Sequence, residues 1–142
     1  MASTTERTLA IIKPDAVELG LVGQIVARIE AAGFRIRAMR LVHLSQSDAE
    51  GFYAVHHERP FFASLTAFMS SGPCVVMALE ADGAVHRWRD LMGVTDPAKA
   101  APESMRKVFG TSLERNATHG SDAPETAAFE LSYFFTGMDL SG

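Results

Sequence analysis

Apolar and polar positions along this chain follow two periods, one of strands and one of helices, from Leu9 to Phe135. Leu9-Ala10-Ile11-Ile12 is a continuous apolar run that stops at Lys13-Pro14-Asp15, the pattern of a buried strand ending in a turn. Over residues 21–32 the apolar positions Ile25, Ile29 and Ala32 fall at helical spacing, and Gly33 supplies the C-terminal stop. Phe34-Arg35-Ile36-Arg37-Ala38 alternates, which predicts a second strand with one polar face. The alternation shifts beyond it, predicting a bulge at Met39 or Arg40. Ser47-Asp48-Ala49-Glu50 has the spacing of a capping box and opens a helix that carries Phe52 and Tyr53. Residues 62–69 form another short helix, broken by Ser70-Ser71-Gly72-Pro73. A third strand follows over 74–80 and a helix over 84–92, while Leu113 begins a last strand or a loop. The final helix is expected over 123–135. Ser121 and Asp122 mark its entry, Asp122 and Glu125 have capping-box spacing, and Pro124 sits where a first turn tolerates it.

Strand–helix–strand–helix–strand–helix with a late insertion is the order of an α+β sandwich of the split βαβ kind. Links of hairpin length between strands are missing, which argues against a pure β fold, and the fourth strand has the weakest pattern. At 142 residues the chain reads as one domain, with a core over about 6–135 and a short mobile tail carrying Gly137 and Gly142. A hydrophobic fraction of 47% and a charged fraction of 21% are ordinary for a globular protein. The net charge of −4 argues against nucleic-acid binding by bulk electrostatics but leaves room for a local basic pocket. The single Cys74 permits no intrachain disulfide and fits a reducing compartment. Residues 1–8 lack the apolar stretch of a signal peptide, and no run reaches transmembrane length. The expectation is a cytoplasmic protein without membrane or nucleic-acid partners.

The chemistry concentrates in Asn116-Ala117-Thr118-His119-Gly120-Ser121-Asp122, one histidine in a loop of small and polar residues at a helix entrance. Such a side chain is poorly suited to core packing. Neutral imidazole is a nucleophile near pH 7, and a carboxylate on its second nitrogen can fix the ring. Glu130, on the following helix, is the nearest carboxylate on a useful face, and Gly120 lets the backbone turn where a Cβ would not fit. Phosphoryl transfer needs cations around the transferred group. Lys13 at the end of the first strand, Arg89 on a helix and Arg106 after Pro102 supply them, while Thr95 and Asn116 add a hydroxyl and an amide. No Gly-x-x-x-x-Gly-Lys loop and no protein-kinase signature is present. His43, His56, His57 and His86 have no metal-ligand spacing with carboxylates or Cys74. Of Phe61 and Phe62, one is expected in the core and one partly exposed, and Tyr53 suits either helix packing or the site.

In this order Thr8-Leu9-Ala10-Ile11-Ile12-Lys13-Pro14-Asp15-Ala16-Val17, Gly51-Phe52-Tyr53-Ala54, Arg59-Pro60-Phe61-Phe62, Ser71-Gly72-Pro73 and the His119 segment resemble the nucleoside diphosphate kinases, over about Glu6 to Phe135. The resemblance implies a ferredoxin-like βαββαβ sandwich with a four-stranded antiparallel sheet. It implies a ping-pong enzyme that passes the γ-phosphate of a nucleoside triphosphate, mainly ATP, to a nucleoside diphosphate. It puts the pros-phosphohistidine at His119, phosphate contacts at Lys13, Arg89, Thr95 and Arg106, and ribose contacts at Lys13 and Asn116. Phe61 falls where the base stacks, with Leu65 beside it, and Tyr53, Ser121 and Glu130 surround the histidine. Stacking is nearly indifferent to the base, so purines and pyrimidines alike are expected. Mg2+ would arrive on the nucleotide's phosphates, with no protein-only metal cage. A homotetramer is favoured over a homohexamer by the short tail.

Departures from the family pattern surround Arg106, where Glu103 replaces a common glycine and Val108 a polar residue, and Asp96 replaces an asparagine. Two other classes are weighed. A catalytically silent nucleotide-binding relative should lack the histidine or a phosphate-binding cation, and this chain keeps both. A ferredoxin-like RNA-binding module should carry strand aromatics and a basic surface, whereas the strands here are aliphatic and the charge negative.

Overall fold

The computed structural model describes residues 5–141. Four strands, β1 (Thr5–Ile12), β2 (Arg35–Val42), β3 (Cys74–Asp82) and β4 (Thr118–Gly120), form one sheet in the order β2-β3-β1-β4, every neighbouring pair antiparallel. That is the ferredoxin-like α+β sandwich the resemblance implies. The helices are α1 (Pro14–Glu18), α2 (Val22–Ala31), α3 (Gln46–Phe52), α4 (Phe62–Met69), α5 (Ala84–Met92), α6 (Met105–Phe109), α7 (Pro124–Phe134) and α8 (Gly137–Leu140).

The central strands read as unbroken apolar runs because both faces of the sheet are covered. Ala10 and Ile12 on β1, with Val75, Met77 and Leu79 on β3, pack with Ile25 and Ile29 of α2 and Trp88 and Met92 of α5. Leu9 and Ile11, with Cys74, Val76 and Ala78, pack on the other side with Phe52, Tyr53, Phe68 and Leu131. Strand alternation therefore sorts each run between two cores. Trp88 is fully buried in the first core, its ring edge-on to Phe34 at 6.1 Å between centroids.

β4 pairs with β1 so that His119 lies opposite Ile11, and Thr118 and Gly120 lie opposite Ile12 and Ala10. His119 thus shares the sheet face of Ile11, where Phe52, Tyr53 and α7 pack, while Gly120 faces Trp88 on the other side. A slip of one residue would turn the imidazole into the tryptophan core.

The structure departs from the sequence reading in several places. His119 is not in a loop but on β4, a three-residue strand. The bulge in β2 falls at Arg37, between Ile36 and Ala38, rather than at Met39 or Arg40. The cap of α3 is Ser45, two residues earlier than expected: its Oγ accepts the Asp48 N–H at 2.9 Å, and Asp48 Oδ2 accepts the Ser45 N–H at 3.0 Å. α7 starts after Ala123, whose N–H donates to Thr126 Oγ1 at 3.0 Å, so Asp122 is not its cap. At Leu113, where a strand or a loop was expected, the loop is found, closed by the Thr111 N–H donating to Arg115 O at 2.8 Å. In the C-terminal segment Thr136 caps α8 and Leu140 packs on the second core, while Gly142 of the expected mobile tail lies outside the described residues.

Candidate functional site

His119 Nε2 lies 3.0 Å from Glu130 Oε1. A carboxylate only accepts, so Nε2 carries the proton, and in the neutral ring the lone pair is left on Nδ1. Ser121 Oγ donates to the same Glu130 oxygen at 2.8 Å and accepts the Leu9 N–H at 3.2 Å, which ties the carboxylate to the central strand. The rings of Phe52 and Tyr53 stand edge-on to the imidazole at 5.4 and 6.0 Å. From the opposite face, Trp88 Nε1–H donates to the His119 carbonyl at 3.1 Å. The ring is therefore held at one nitrogen, packed on its flanks and anchored at its backbone, with 17% of the side chain open.

Lys13 follows β1 immediately and is 7% exposed. Its Nζ donates to Asn116 Oδ1 at 2.9 Å, and Asn116 Nδ2 donates to the Thr95 carbonyl at 3.0 Å. Arg106, on α6 behind the Ser104 cap, donates from Nη1 to Gly93 O at 3.0 Å and from Nη2 to Thr118 O at 3.1 Å. Its Nε is buried without a hydrogen-bond partner among the described residues, as is the Tyr53 hydroxyl. Arg89 donates to Asp122 Oδ1 at 2.7 Å.

These cations repel one another. Burial, then the Arg106 charge, pull Lys13 down to about 8, against the opposing carboxylates of Asp15 and Glu114. Burial and then Arg89 lower Arg106 to about 10. Burial, with Glu130 adding to it, pushes the Tyr53 phenol far up, so it stays a neutral donor. A fold that gathers like charges beside a held imidazole is built to receive an anion. Only a charged Lys13 would attract a phosphate, so if it takes that role kcat/KM for nucleotide should fall as pH rises above about 8. A pH profile of initial rates at limiting nucleotide checks this; a flat profile to pH 10 would contradict it.

Of the remaining expected residues, Phe61 and Leu65 lie apart from this network. Phe61 is 47% exposed, tilted against His56 at 5.6 Å, and Phe62 is the partly buried member of the pair. Leu65 packs against the second core. Thr95, an exposed residue, enters the network through its carbonyl. Ser64 Oγ, in the same helix as Leu65, donates to Glu114 Oε2 at 2.7 Å and joins α4 to the loop that leads into Asn116. Around Arg106, the Glu103 carbonyl accepts from Arg28 at 2.8 Å and Val108 is exposed, so neither departure displaces the guanidinium. Asp96 accepts the Ala98 N–H at 3.0 Å and supports its turn as an asparagine would.

Sequence reasoning missed Phe52, Trp88, Asp122 and Asp15. Asp15 Oδ2 accepts the Ala117 N–H at 3.1 Å, two residues before the histidine. The available signals were a sole tryptophan on an amphipathic helix and a carboxylate two residues beyond the lysine.

Residues 6–140 match the sequence model of a family described as nucleoside diphosphate kinase. The nucleoside diphosphate kinase of Syntrophotalea carbinolica is 65% identical over 135 residues, 95% of this chain and 98% of its own length. That of Desulfotalea psychrophila is 61% identical over 135 residues, with the same 95% and 98% coverage. Among solved structures, the Aquifex aeolicus nucleoside diphosphate kinase superposes with a TM-score of 0.95 at 45% identity, covering 97% of this chain and 100% of that one. A halophilic nucleoside diphosphate kinase from Halobacterium salinarum in complex with CDP gives 0.93 at 36% identity, covering 98% and 93%.

Proposed function

The chain belongs to the nucleoside diphosphate kinase family, and from that premise we propose that His119 carries the phosphoryl group in the family's reaction. That reaction moves the γ-phosphate of a nucleoside triphosphate, ATP foremost, to a nucleoside diphosphate. One observation carries the assignment of His119: Glu130 holds Nε2–H and leaves the Nδ1 lone pair free, on the strand whose Thr118 carbonyl Arg106 holds.

In the first half-reaction the Nδ1 lone pair attacks the γ-phosphorus in line. The N–P bond forms as the bond to the β–γ bridging oxygen breaks, and the diphosphate leaves. Lys13 and Arg106, with Arg89 released from Asp122, hold charge on the phosphate oxygens as it develops. Glu130 keeps the ring oriented and favours the cationic imidazole character of the intermediate. In the second half, a terminal oxygen of an incoming diphosphate attacks the same phosphorus and the N–P bond breaks. Asn116 and Lys13 are assigned to the ribose hydroxyls, Thr95 to a phosphate, Phe61 to base stacking and Leu65 to its support. Tyr53 and Ser121 complete the surroundings of the imidazole. The half-exposed face of Phe61 supports stacking without base selection.

The family's chemistry uses a divalent cation, which we take to be Mg2+. Among the described residues no three His, Cys, Asp or Glu side chains converge as a cage. The site offers cations, amides and hydroxyls, a donor set that fits an ion held by the nucleotide's phosphate oxygens, where its charge would offset theirs. The 6–140 match supports reading the chain as one catalytic domain. A homotetramer is the assembly proposed, with a homohexamer the alternative that light scattering would distinguish. Met39 and Leu41, 51% and 67% exposed on edge strand β2, support self-association. Among the described residues no helix is long and apolar enough to cross a membrane. A cytoplasmic setting is supported by the substrate class and by the free thiol of Cys74.

The test is intact-protein mass after brief incubation with Mg-ATP at alkaline pH, which preserves phosphohistidine. One phosphoryl adduct, lost on adding GDP as GTP appears, supports the reading; ATP binding with no adduct sends the chain to the silent relatives. Glu130→Gln should keep nucleotide binding and slow adduct formation by roughly 10²-fold, read by rapid quench. An unchanged rate would remove Glu130 from the mechanism.

A further inference from the structure

We propose that Asp15 is a positioning residue for phosphoryl transfer, pinning Ala117 in a left-handed turn that sets Asn116 and His119 in register. The inference rests on the reading of His119 as the phosphoryl carrier. Ala117 has φ +74° and is the one non-glycine residue with positive φ among the described residues. The Thr118 N–H donates across it to Asn116 O at 2.9 Å, so Ala117 is the centre of a γ-turn of the rare, strained hand. Such a conformation persists only where the surroundings over-determine it.

Here both polar groups of Ala117 are gripped by one segment. Its N–H donates to Asp15 Oδ2 at 3.1 Å, and its carbonyl accepts the Lys13 N–H at 2.8 Å. The Lys13 side chain then holds Asn116 from the other side at 2.9 Å. The strained residue lies between two residues of the site: Asn116 precedes it, and β4 with His119 begins immediately after it. Relaxing Ala117 to negative φ would rotate these neighbours relative to each other.

Packing alone does not account for the carboxylate. Asp15 is 4% exposed, and its Oδ1 has no hydrogen-bond partner among the described residues. Burying a charge for one backbone hydrogen bond is costly. A second benefit accompanies the pin, since the Asp15 charge opposes the loss of the Lys13 proton.

The experiment compares wild type, Asp15→Ala, Asp15→Asn, Ala117→Gly and the Asp15→Ala/Ala117→Gly double variant. His119 phosphorylation is followed by rapid quench at saturating Mg-ATP, with melting temperature and nucleotide KM measured alongside. Asp15→Ala should slow the single-turnover rate by roughly 10- to 100-fold, the scale of an ångström-level misplacement. Asp15→Asn keeps an acceptor oxygen and, assayed at pH ~6.5 where Lys13 stays charged without the carboxylate, should lose less than about tenfold. Glycine adopts the left-handed turn without a pin, so Ala117→Gly alone should transfer normally and the double variant should regain most of the lost rate. Asp15→Ala at the wild-type rate, or a double variant as slow as Asp15→Ala, would overturn the proposal. If Asp15→Ala does not fold, Asp15→Asn decides, and a loss above tenfold there overturns the pin. No phosphorylation of wild type would instead refute the role of His119, which keeps the two failures distinct.

Discussion

Replacing His119 by alanine is expected to abolish phosphate exchange, by roughly 10⁴- to 10⁶-fold, while nucleotide binding stays within a few-fold of wild type. The separation follows from how the site is held. Lys13 is positioned by Asn116, Asn116 by the Thr95 carbonyl, and Arg106 by the Gly93 and Thr118 carbonyls. None of these bonds runs through the imidazole. On the proposed assignment, the variant loses the atom that would form the N–P bond and keeps the groups assigned to phosphates and ribose. Exchange between ATP and labelled GDP, beside calorimetric binding of ADP, measures both quantities. Exchange above a hundredth of the wild-type rate would mean that another group carries the phosphoryl, or that transfer is direct.

Gly120→Ala should be strongly destabilising, because the added methyl meets a buried ring. A Cβ there would lie 2.5 Å from Trp88 Cδ1, 2.7 Å from Trp88 Nε1 and 2.6 Å from Met92 Cε. Met92 is flexible, but Trp88 is fully buried, packed edge-on against Phe34 and bonded to the His119 carbonyl. It cannot retreat without breaking the bond that anchors the histidine. Overpacking of this kind costs about 1–3 kcal/mol, which for a chain of this length lowers Tm by about 3–10 °C. Because β4 spans only three residues, the shift also moves His119, and transfer should slow together with the loss of stability. Differential scanning calorimetry beside single-turnover rates checks the pair of effects. An unchanged Tm would mean that the tryptophan does not back the strand as described.

The central strands were legible because both faces are covered, which makes Leu9 to Ile12 and Cys74 to Leu79 unbroken apolar runs. β4 was not, since Thr118-His119-Gly120 has little strand propensity and becomes a strand only by pairing with β1. The cap of α3 was misplaced because Ser45 and Ser47 both precede acidic residues, and only backbone geometry chooses between them. Asp122 followed the capping pattern, but the long reach of Arg89 claimed its carboxylate instead. Within the candidate site, His119, Glu130, Lys13, Asn116 and Arg106 could be singled out because their own side chains offer the chemistry. Asp15 and Trp88 act on backbone groups of Ala117 and His119, and such contacts leave no mark in a sequence pattern. Phe61 was separated from Phe62 by family resemblance alone, and its exposure now agrees with that choice.

The central claim is that Glu130 fixes Nε2 and leaves Nδ1 to attack, and the phosphohistidine isomer tests it most directly. The protein, labelled with ¹⁵N at histidine and phosphorylated with Mg-ATP at alkaline pH, would be read by ³¹P and ¹⁵N NMR. A phosphorus bonded to Nδ1 of His119, with Nε2 still protonated, is the predicted result. A phosphorus on Nε2, or on any other side chain, would contradict the account.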